Sequence, residues 1–334
     1  MAPPSTLSTD RLLADVGGTN ARFAWQAGSG EPIADVVKLP SAQYATLADA
    51  MRGYLNQIGR SAPPQCAIAI ANPVLGDSVQ MTNHHWSFSI GALQEQFGFA
   101  RLRVLNDFTA LALALPSLPA AELRQVGGGA ARPDCTIGLI GPGTGLGVSG
   151  LVPVLRQGRP ATWVPLQGEG GHVTLAAGNE REHAVLAEIG RRLGHVSAER
   201  ALSGPGLVNL YQALVRIDTP GAPGAPEVQL KAAEISSRAL QGDATCGEAL
   251  NLFCAFLGSV AGNLALTLGA HGGVYIGGGI VPRLGDWFER SPFRHSFEAK
   301  GRFKDYLAAI PVFVILARES PALLGAAIAL DGPD

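Results

Sequence analysis

The sequence predicts an α/β protein of two domains built on one plan, and three observations carry that prediction. The chain has 334 residues, more than one core usually holds. Short apolar runs alternate with helix-period runs in the order strand, helix, strand, which implies a largely parallel sheet. A unit of strand, glycine turn and strand occurs twice, around 17–19 and around 143–147. Two halves on that plan are expected to turn two phosphate-binding loops toward one cleft.

The elements follow in order. "RLLADVGGTNARFAW" (11–25) reads as strand, glycine turn, strand. Over 43–58, Tyr44, Leu47, Met51, Tyr54, Leu55 and Ile58 share one helical face. "QCAIAIANPV" (65–74) is a buried strand ending in a polar turn, "MTNHHWSFSIGALQEQFGF" (81–99) a loop and a short helix, and "RLRVLNDF" (101–108) another strand. A boundary is expected near Pro116–Pro119, followed by a loop-like stretch over 123–134. The plan restarts at "CTIGLIGPGTGLGVSGLVPV" (135–154). Helices are expected at 181–193, 205–216 and 247–268, a strand with a glycine run over 272–284, a late strand over 310–317 and a terminal helix over 321–330.

Composition narrows the function classes. Apolar residues make up 47% and charged residues 16%, with a net charge of −2, which argues against a nucleic-acid surface with its clustered basic face. The four cysteines form no C-x-x-C pair, and no histidine lies at zinc-finger spacing from them. The start "MAPPSTLSTDR" has neither a basic nor an apolar signal region, so a reducing cytoplasm is the simplest expectation. The segment 249–270 is uncharged, contains a Gly258-x-x-x-Gly262 pair and is long enough to span a bilayer. Its polar Asn251, Ser259, Asn263 and Thr267, and the lack of close flanking Lys or Arg, favour a buried core helix, with a subunit contact as a further use.

Five motifs carry the chemistry. In "ADVGGTN" (14–20), Gly17 and Gly18 let backbone N–H groups approach phosphate oxygens. Asp15 beside them suggests Mg²⁺ held through water, since a bare carboxylate would repel a phosphate; an ordinary hairpin turn is the competing explanation. "GPGTGLGVSG" (141–150) matches a dinucleotide fingerprint, which would make the protein a nicotinamide oxidoreductase. That fingerprint must open a helix, whereas "VSGLVPVL" continues as strand, so a second phosphate turn with the Thr144 hydroxyl fits better. "PLQGEGGHVTLA" (165–176) sets Glu169 and His172 on a small-residue loop suited to a polar ligand, and Glu199 follows on a short helix. Ser203, before Gly204–Pro205, reads as a helix N-cap. "YIGGGIVP" (275–282) offers flat glycine backbone for an adenine or ribose. At "LNDFTALALALP" (105–116), Asn106–Asp107 sits at a strand–helix seam, where helix capping is the ordinary explanation.

Together these motifs, with "MTNHHWSFSI", "GHVSAERALSGPGLVNLY" and "KGRFKDYL", resemble the bacterial glucokinase family over nearly the whole chain. The resemblance implies a two-domain actin-like, ribonuclease-H-like fold with an interdomain cleft, the small domain formed by 1–117 plus about 318–334 and the large one by 118–317. It implies ATP-dependent phosphorylation of glucose, with ATP and Mg²⁺ as cofactors, in a cytoplasmic homodimer that binds no nucleic acid or membrane. By position, Asn106 and Asp107 match the sugar-binding pair, with Asp107 as catalytic base. Glu169, His172 and Glu199 match the other sugar contacts, and Asn83 is expected near the sugar cleft. Gly17, Gly18, Thr19 and Asn20 match the first phosphate loop, Gly143, Thr144 and Gly145 the second, and Gly277, Gly278 and Gly279 the adenosine region. Asn72, before Pro73, departs from some relatives. The sequence lacks the zinc-binding Cys cluster of the neighbouring repressor and kinase family. A sugar-sensing regulator on the same fold would need an appended basic or helix-turn-helix segment, and the strand pattern already begins at residue 11.

Overall fold

The computed structural model describes residues 8–82, 84–218, 230–317 and 320–332. The chain divides into two compact units, one comprising residues up to Leu118 together with those from Ala317 onward, the other running from Pro119 to Leu316.

The first unit contains strands β1 (Arg11–Val16), β2 (Asn20–Gln26), β3 (Ile33–Pro40), β4 (Gln65–Ile70), β5 (Ser78–Gln80), β6 (Ser87–Ser89) and β7 (Arg101–Asn106). Its helices are α1 (Leu47–Ile58), α2 (Ile90–Phe97) and α3 (Asp107–Ala114), with the terminal helix of the chain added to them. The main sheet has the order β3-β2-β1-β4-β7, with β5–β6 a separate ribbon. The two hairpin pairs are antiparallel, and β1–β4 and β4–β7 are parallel. Strand alternation divides the core. Leu12, Ala14 and Val16 pack with Met51 and Tyr54 of α1 on one face, whereas Leu13 packs with Leu323, Ala326 and Leu330 on the other.

The second unit contains β8 (Leu123–Gln125), β9 (Ile137–Pro142), β10 (Leu146–Arg156), β11 (Arg159–Gln167), β12 (Val274–Ile276) and β13 (Val312–Ile315). Helices α4 (Glu180–Leu193), α5 (Gly204–Asp218), α6 (Ala232–Leu240), α7 (Ala244–Leu268), α8 (Asp286–Arg290), α9 (Phe293–Glu298) and α10 (Lys304–Ala308) belong to it, and α11 (Pro321–Asp331) is the terminal helix of the first unit. Its sheet reads β11-β10-β9-β12-β13-β8. The first five strands repeat the order and directions of the first unit's sheet, with β8 an added antiparallel edge. The stretch 123–134 thus opens with a short strand, because β13 presents an edge on which Leu123–Gln125 pairs.

Helix α7 is the apolar segment that met the membrane test by length, with a mean hydropathy of 1.7 over its best window, 72% of which is buried in the protein. Its Gly258 and Gly262 face α9: a Cβ at either would run into the backbone carbonyls of Phe293 or Phe297. The small-residue pair thus serves packing inside the unit, as expected of a buried core helix.

Candidate active site

Register places the candidate residues of the first unit. Val16, Ile70 and Asn106 lie in one row across the parallel strands β1, β4 and β7. They end those strands, so the chain leaves the same carboxyl edge three times: into Gly17–Thr19, into Ala71–Pro73 and into Asp107. Two strand spacings separate the first exit from the last, roughly 10 Å. The carboxyl edge is where open α/β sheets bind ligands.

The first glycine turn closes the β1–β2 hairpin, with the Gly17 N–H bonded to the Asn20 carbonyl at 2.9 Å. The hairpin explanation therefore holds for the backbone, and it coexists with exposed Thr19 and partly buried Gly18 and Asn20. Buried Ser41 braces the turn from beneath: its Oγ donates to the Gly17 carbonyl at 3.2 Å and its N–H to the Thr19 carbonyl at 3.0 Å. Asp15 is engaged on one oxygen. Arg22 donates to Oδ2 at 3.0 Å and Ser320 donates to the same atom at 2.7 Å.

At the far exit the ordinary explanation also holds, for one residue of the pair. Asn106 is the N-cap of α3, its Oδ1 accepting from Phe108 N–H at 2.9 Å and Thr109 N–H at 3.2 Å. Among the described residues its Nδ2 makes one long bond, 3.4 Å, to the Asn72 carbonyl. Asp107 is the first residue of α3, partly buried, with Oδ1 accepting from Phe108 N–H at 2.9 Å. It is thus neither sealed in the core nor on a mobile tail; it stands where the helix dipole favours a carboxylate. Asn72, at the middle exit, holds the loop before β6: its Oδ1 accepts from the Thr82 N–H and hydroxyl at 3.1 and 2.7 Å. Asn83, the next residue, lies outside the described residues.

The second unit repeats the arrangement. The β9–β10 turn is closed by the Gly143 N–H donating to the Gly145 carbonyl at 2.8 Å, and Thr144 is exposed. Glu199 braces it, Oε2 accepting from the Leu146 N–H at 2.9 Å. The Gly204 N–H, at the start of α5, donates to the Gly143 carbonyl at 2.8 Å. Ser203 caps α5 as the sequence predicts, through its Oγ and the Gly206 N–H at 2.9 Å. After β12, the Gly277 N–H bonds the Ile140 carbonyl at 2.9 Å, so the glycine run emerges beside the turn. Gly278 has φ +78°, and a Cβ there would strike the Pro142 carbonyl, so glycine is required on two counts.

Glu169 and His172 bound a single helical turn, Gly170–His172. The turn lies against the start of β10, because any Cβ at Gly170 or Gly171 would overlap Val148 or the Leu146 carbonyl. Glu169 and His172 are exposed, with their hydrogen-bonding capacity unspent among the described residues. The structure therefore gathers Glu169, His172, Glu199 and Thr144 around one turn in this unit. Sequence reasoning missed the braces Ser41 and Ser320. Ser41 follows Pro40 at a strand end, a pattern with no chemical signature, and its role depends on a contact 24 positions back along the chain.

Comparison with known proteins agrees with this layout. The family model described as Glucokinase matches residues 12–332. A curated glucokinase of Chromobacterium violaceum is 57% identical over 318 residues, 95% of this chain and 88% of that protein. One from Aromatoleum aromaticum is 57% identical over 323 residues, 96% of this chain and 94% of that protein. Among solved structures, glucokinase from an Antarctic psychrotroph superimposes with a TM-score of 0.84 at 36% identity, covering 97% of this chain and 99% of the other.

Proposed function

The chain belongs to the glucokinase family, and we propose that it transfers the γ-phosphoryl group of ATP to the 6-hydroxyl of glucose with Asp107 as general base. The observation that carries this reading is the 57% identity to a curated glucokinase across 95% of the chain.

A sugar hydroxyl is a poor nucleophile at neutral pH, and a carboxylate that accepts its proton as the new P–O bond forms lowers the barrier. Asp107 suits that task because the cap from Asn106 fixes its backbone at the strand–helix seam. In the proposed step the hydroxyl oxygen bonds to the γ-phosphorus, its proton passes to the Asp107 carboxylate, and the bond from γ-phosphorus to the bridging oxygen breaks to leave ADP. Asn106 has its acceptor spent on the helix, so it serves the sugar as an N–H donor. Glu169 and Glu199 accept from sugar hydroxyls and His172 completes the set; a sugar-side role for Asn83 rests on the resemblance alone. The backbone N–H groups of 17–20 and 143–145 take phosphate oxygens, and Gly277–Gly279 take the adenosine.

The residues fit a hydrated Mg²⁺. Among the described residues Asp15 has Oδ1 to offer, since Oδ2 is taken, and they hold no cluster of three or more His, Cys, Asp or Glu for direct ligation. When bound with the nucleotide, the ion would neutralise phosphate charge. We place the protein in the cytoplasm as a homodimer, apart from nucleic acid and membrane, on the strength of the resemblance.

The test is a coupled assay with ATP, Mg²⁺ and a panel of hexoses. Asp107→Asn is expected to lower kcat at least about a hundredfold while glucose still binds. Near-normal turnover would remove Asp107 as the base, and no turnover of any hexose by the unaltered protein would overturn the reading.

A further inference from the structure

Ser320 occupies the N-cap position of α11, where a serine oxygen ordinarily accepts a hydrogen bond from the first turn of its own helix. Here that bond is not made. The hydroxyl instead donates across 305 positions of sequence to Oδ2 of Asp15, at 2.7 Å, shorter than the 3.0 Å bond from Arg22 to the same atom. A cap foregone in favour of a charge-assisted bond at the first glycine turn is unexplained by the stability of α11.

The rest of α11 is anchored independently. Arg11 pairs with Asp331 at 2.5 Å, and Arg101 donates to the carbonyls of Leu330 and Gly332 at the helix C-terminus, where cations are favoured. Midway, Gly325 lies so close to α3 that a Cβ would overlap the Ala110 carbonyl. The helix is therefore a rigid strut, fixed at its far end and along its length. Its near end delivers one hydroxyl to Asp15.

We infer that Ser320 is a positioning residue for the reaction: with Arg22 it occupies Oδ2 of Asp15, holds the carboxylate in one rotamer, and so reserves Oδ1 for the hydrated cation that accompanies the nucleotide. Two donors on one oxygen fix both torsions of the short side chain. With Arg22 alone, the carboxylate could swing with the long arginine, whose side chain is 40% exposed. The inference rests on the reading of Asp15 as the water-mediated Mg²⁺ contact.

The experiment measures binding of a non-hydrolysable ATP analogue by calorimetry with and without Mg²⁺, beside steady-state kinetics, in the full chain. The variants are Ser320→Ala, Ser320→Thr and Asp15→Asn. Ser320→Ala is expected to weaken Mg²⁺-dependent analogue binding about tenfold, the scale of a lost hydrogen bond to a charged group. It should raise the ATP KM and leave the glucose KM and the Mg²⁺-free affinity unchanged, and Ser320→Thr should restore the difference. A merely structural role would lower the melting temperature without moving the Mg²⁺ dependence, and that outcome overturns the inference. If Asp15→Asn abolishes the Mg²⁺ effect while Ser320→Ala preserves it, the inference fails and the Asp15 reading stands. If Asp15→Asn itself changes nothing, both fall together.

Discussion

Asn106 can be divided experimentally into its two duties. Its oxygen caps α3 through two N–H groups, at 2.9 and 3.2 Å, while among the described residues its amide nitrogen has a single contact, at 3.4 Å. Asn106→Ser keeps an oxygen that can accept from the first turn and deletes the N–H donor. Asn106→Ala deletes both. Loss of a cap costs about 1 kcal/mol, and up to about 2 where the helix end is well ordered, whereas an exchange between good cap residues is worth a few tenths. The alanine variant should therefore lose roughly 1–2 kcal/mol in urea unfolding at unchanged m-value, and the serine variant about 0.5 or less. A ligand hydrogen bond is worth about 1–1.5 kcal/mol, so both variants should raise the glucose KM by roughly tenfold, with little change in the ATP KM. A serine variant with normal glucose KM would show that the amide contacts no sugar and that capping accounts for the residue. An alanine variant as stable as the parent would refute the cap energetics.

Other expectations follow from neighbouring residues. Glu169→Gln should raise the glucose KM more than the ATP KM, because the exposed carboxylate is otherwise unspent among the described residues; equal effects in the coupled assay would argue against sugar contact. Gly278→Ala imposes a left-handed φ on a residue with a Cβ, about 1–2 kcal/mol, and drives that Cβ into the Pro142 carbonyl. It should lower the melting temperature and raise the ATP KM while sparing the glucose KM, and an unaltered ATP KM would remove the glycine run from the nucleotide site. Among the described residues the buried Nδ1 of His84 has no hydrogen-bond partner, and its ring lies tilted against His85 at 4.2 Å and edge-on to Trp86 at 4.7 Å. Desolvation, then the neighbouring His85, push its pKa below the usual 6.5. The unfolded chain therefore binds the proton more readily than the folded one, so stability is present above pH 6.5 and declines as pH falls through the folded value. Thermal melts should show that decline, flattened in His84→Gln; an equal slope in the variant would assign it elsewhere.

Much of the fold was legible because its strongest signals are local. The glycine turns, the short apolar strands and the apolar face of α1 each need only a window of ten or so residues, and each stands where the sequence placed it, except that α1 begins at Leu47 and leaves Tyr44 before it, in extended backbone. Strands β3 and β11 were not legible, since each is an edge strand with exposed polar residues whose pairing is supplied by the neighbour. The chemistry divides in the same way. Asp107, Glu169 and the two turns could be nominated from residue type and position. The braces could not, because the oxygen of Ser41, the hydroxyl of Ser320 and the carboxylate of Glu199 act through partners 24, 305 and 53 positions away.

The repeated sheet explains why the turns should be glycine in both units. Each turn closes the hairpin of the sheet's central strand, β1 or β9, whose other neighbour runs parallel to it. A connection there lies beyond the last ladder pair, and the turn N–H groups proposed to meet phosphate are those the sheet does not use. The turn must then be held by something below it, or it would fray. The units solve this differently: Ser41 with the ion-paired Asp15 in one, the Glu199 carboxylate on the Leu146 N–H in the other. The second solution couples the turn to a residue proposed to touch sugar. Glu199→Gln, which keeps an acceptor for Leu146, should therefore disturb the glucose KM mainly, whereas Glu199→Ala should also raise the ATP KM. If both variants moved only the glucose KM, the brace would carry no weight in nucleotide binding.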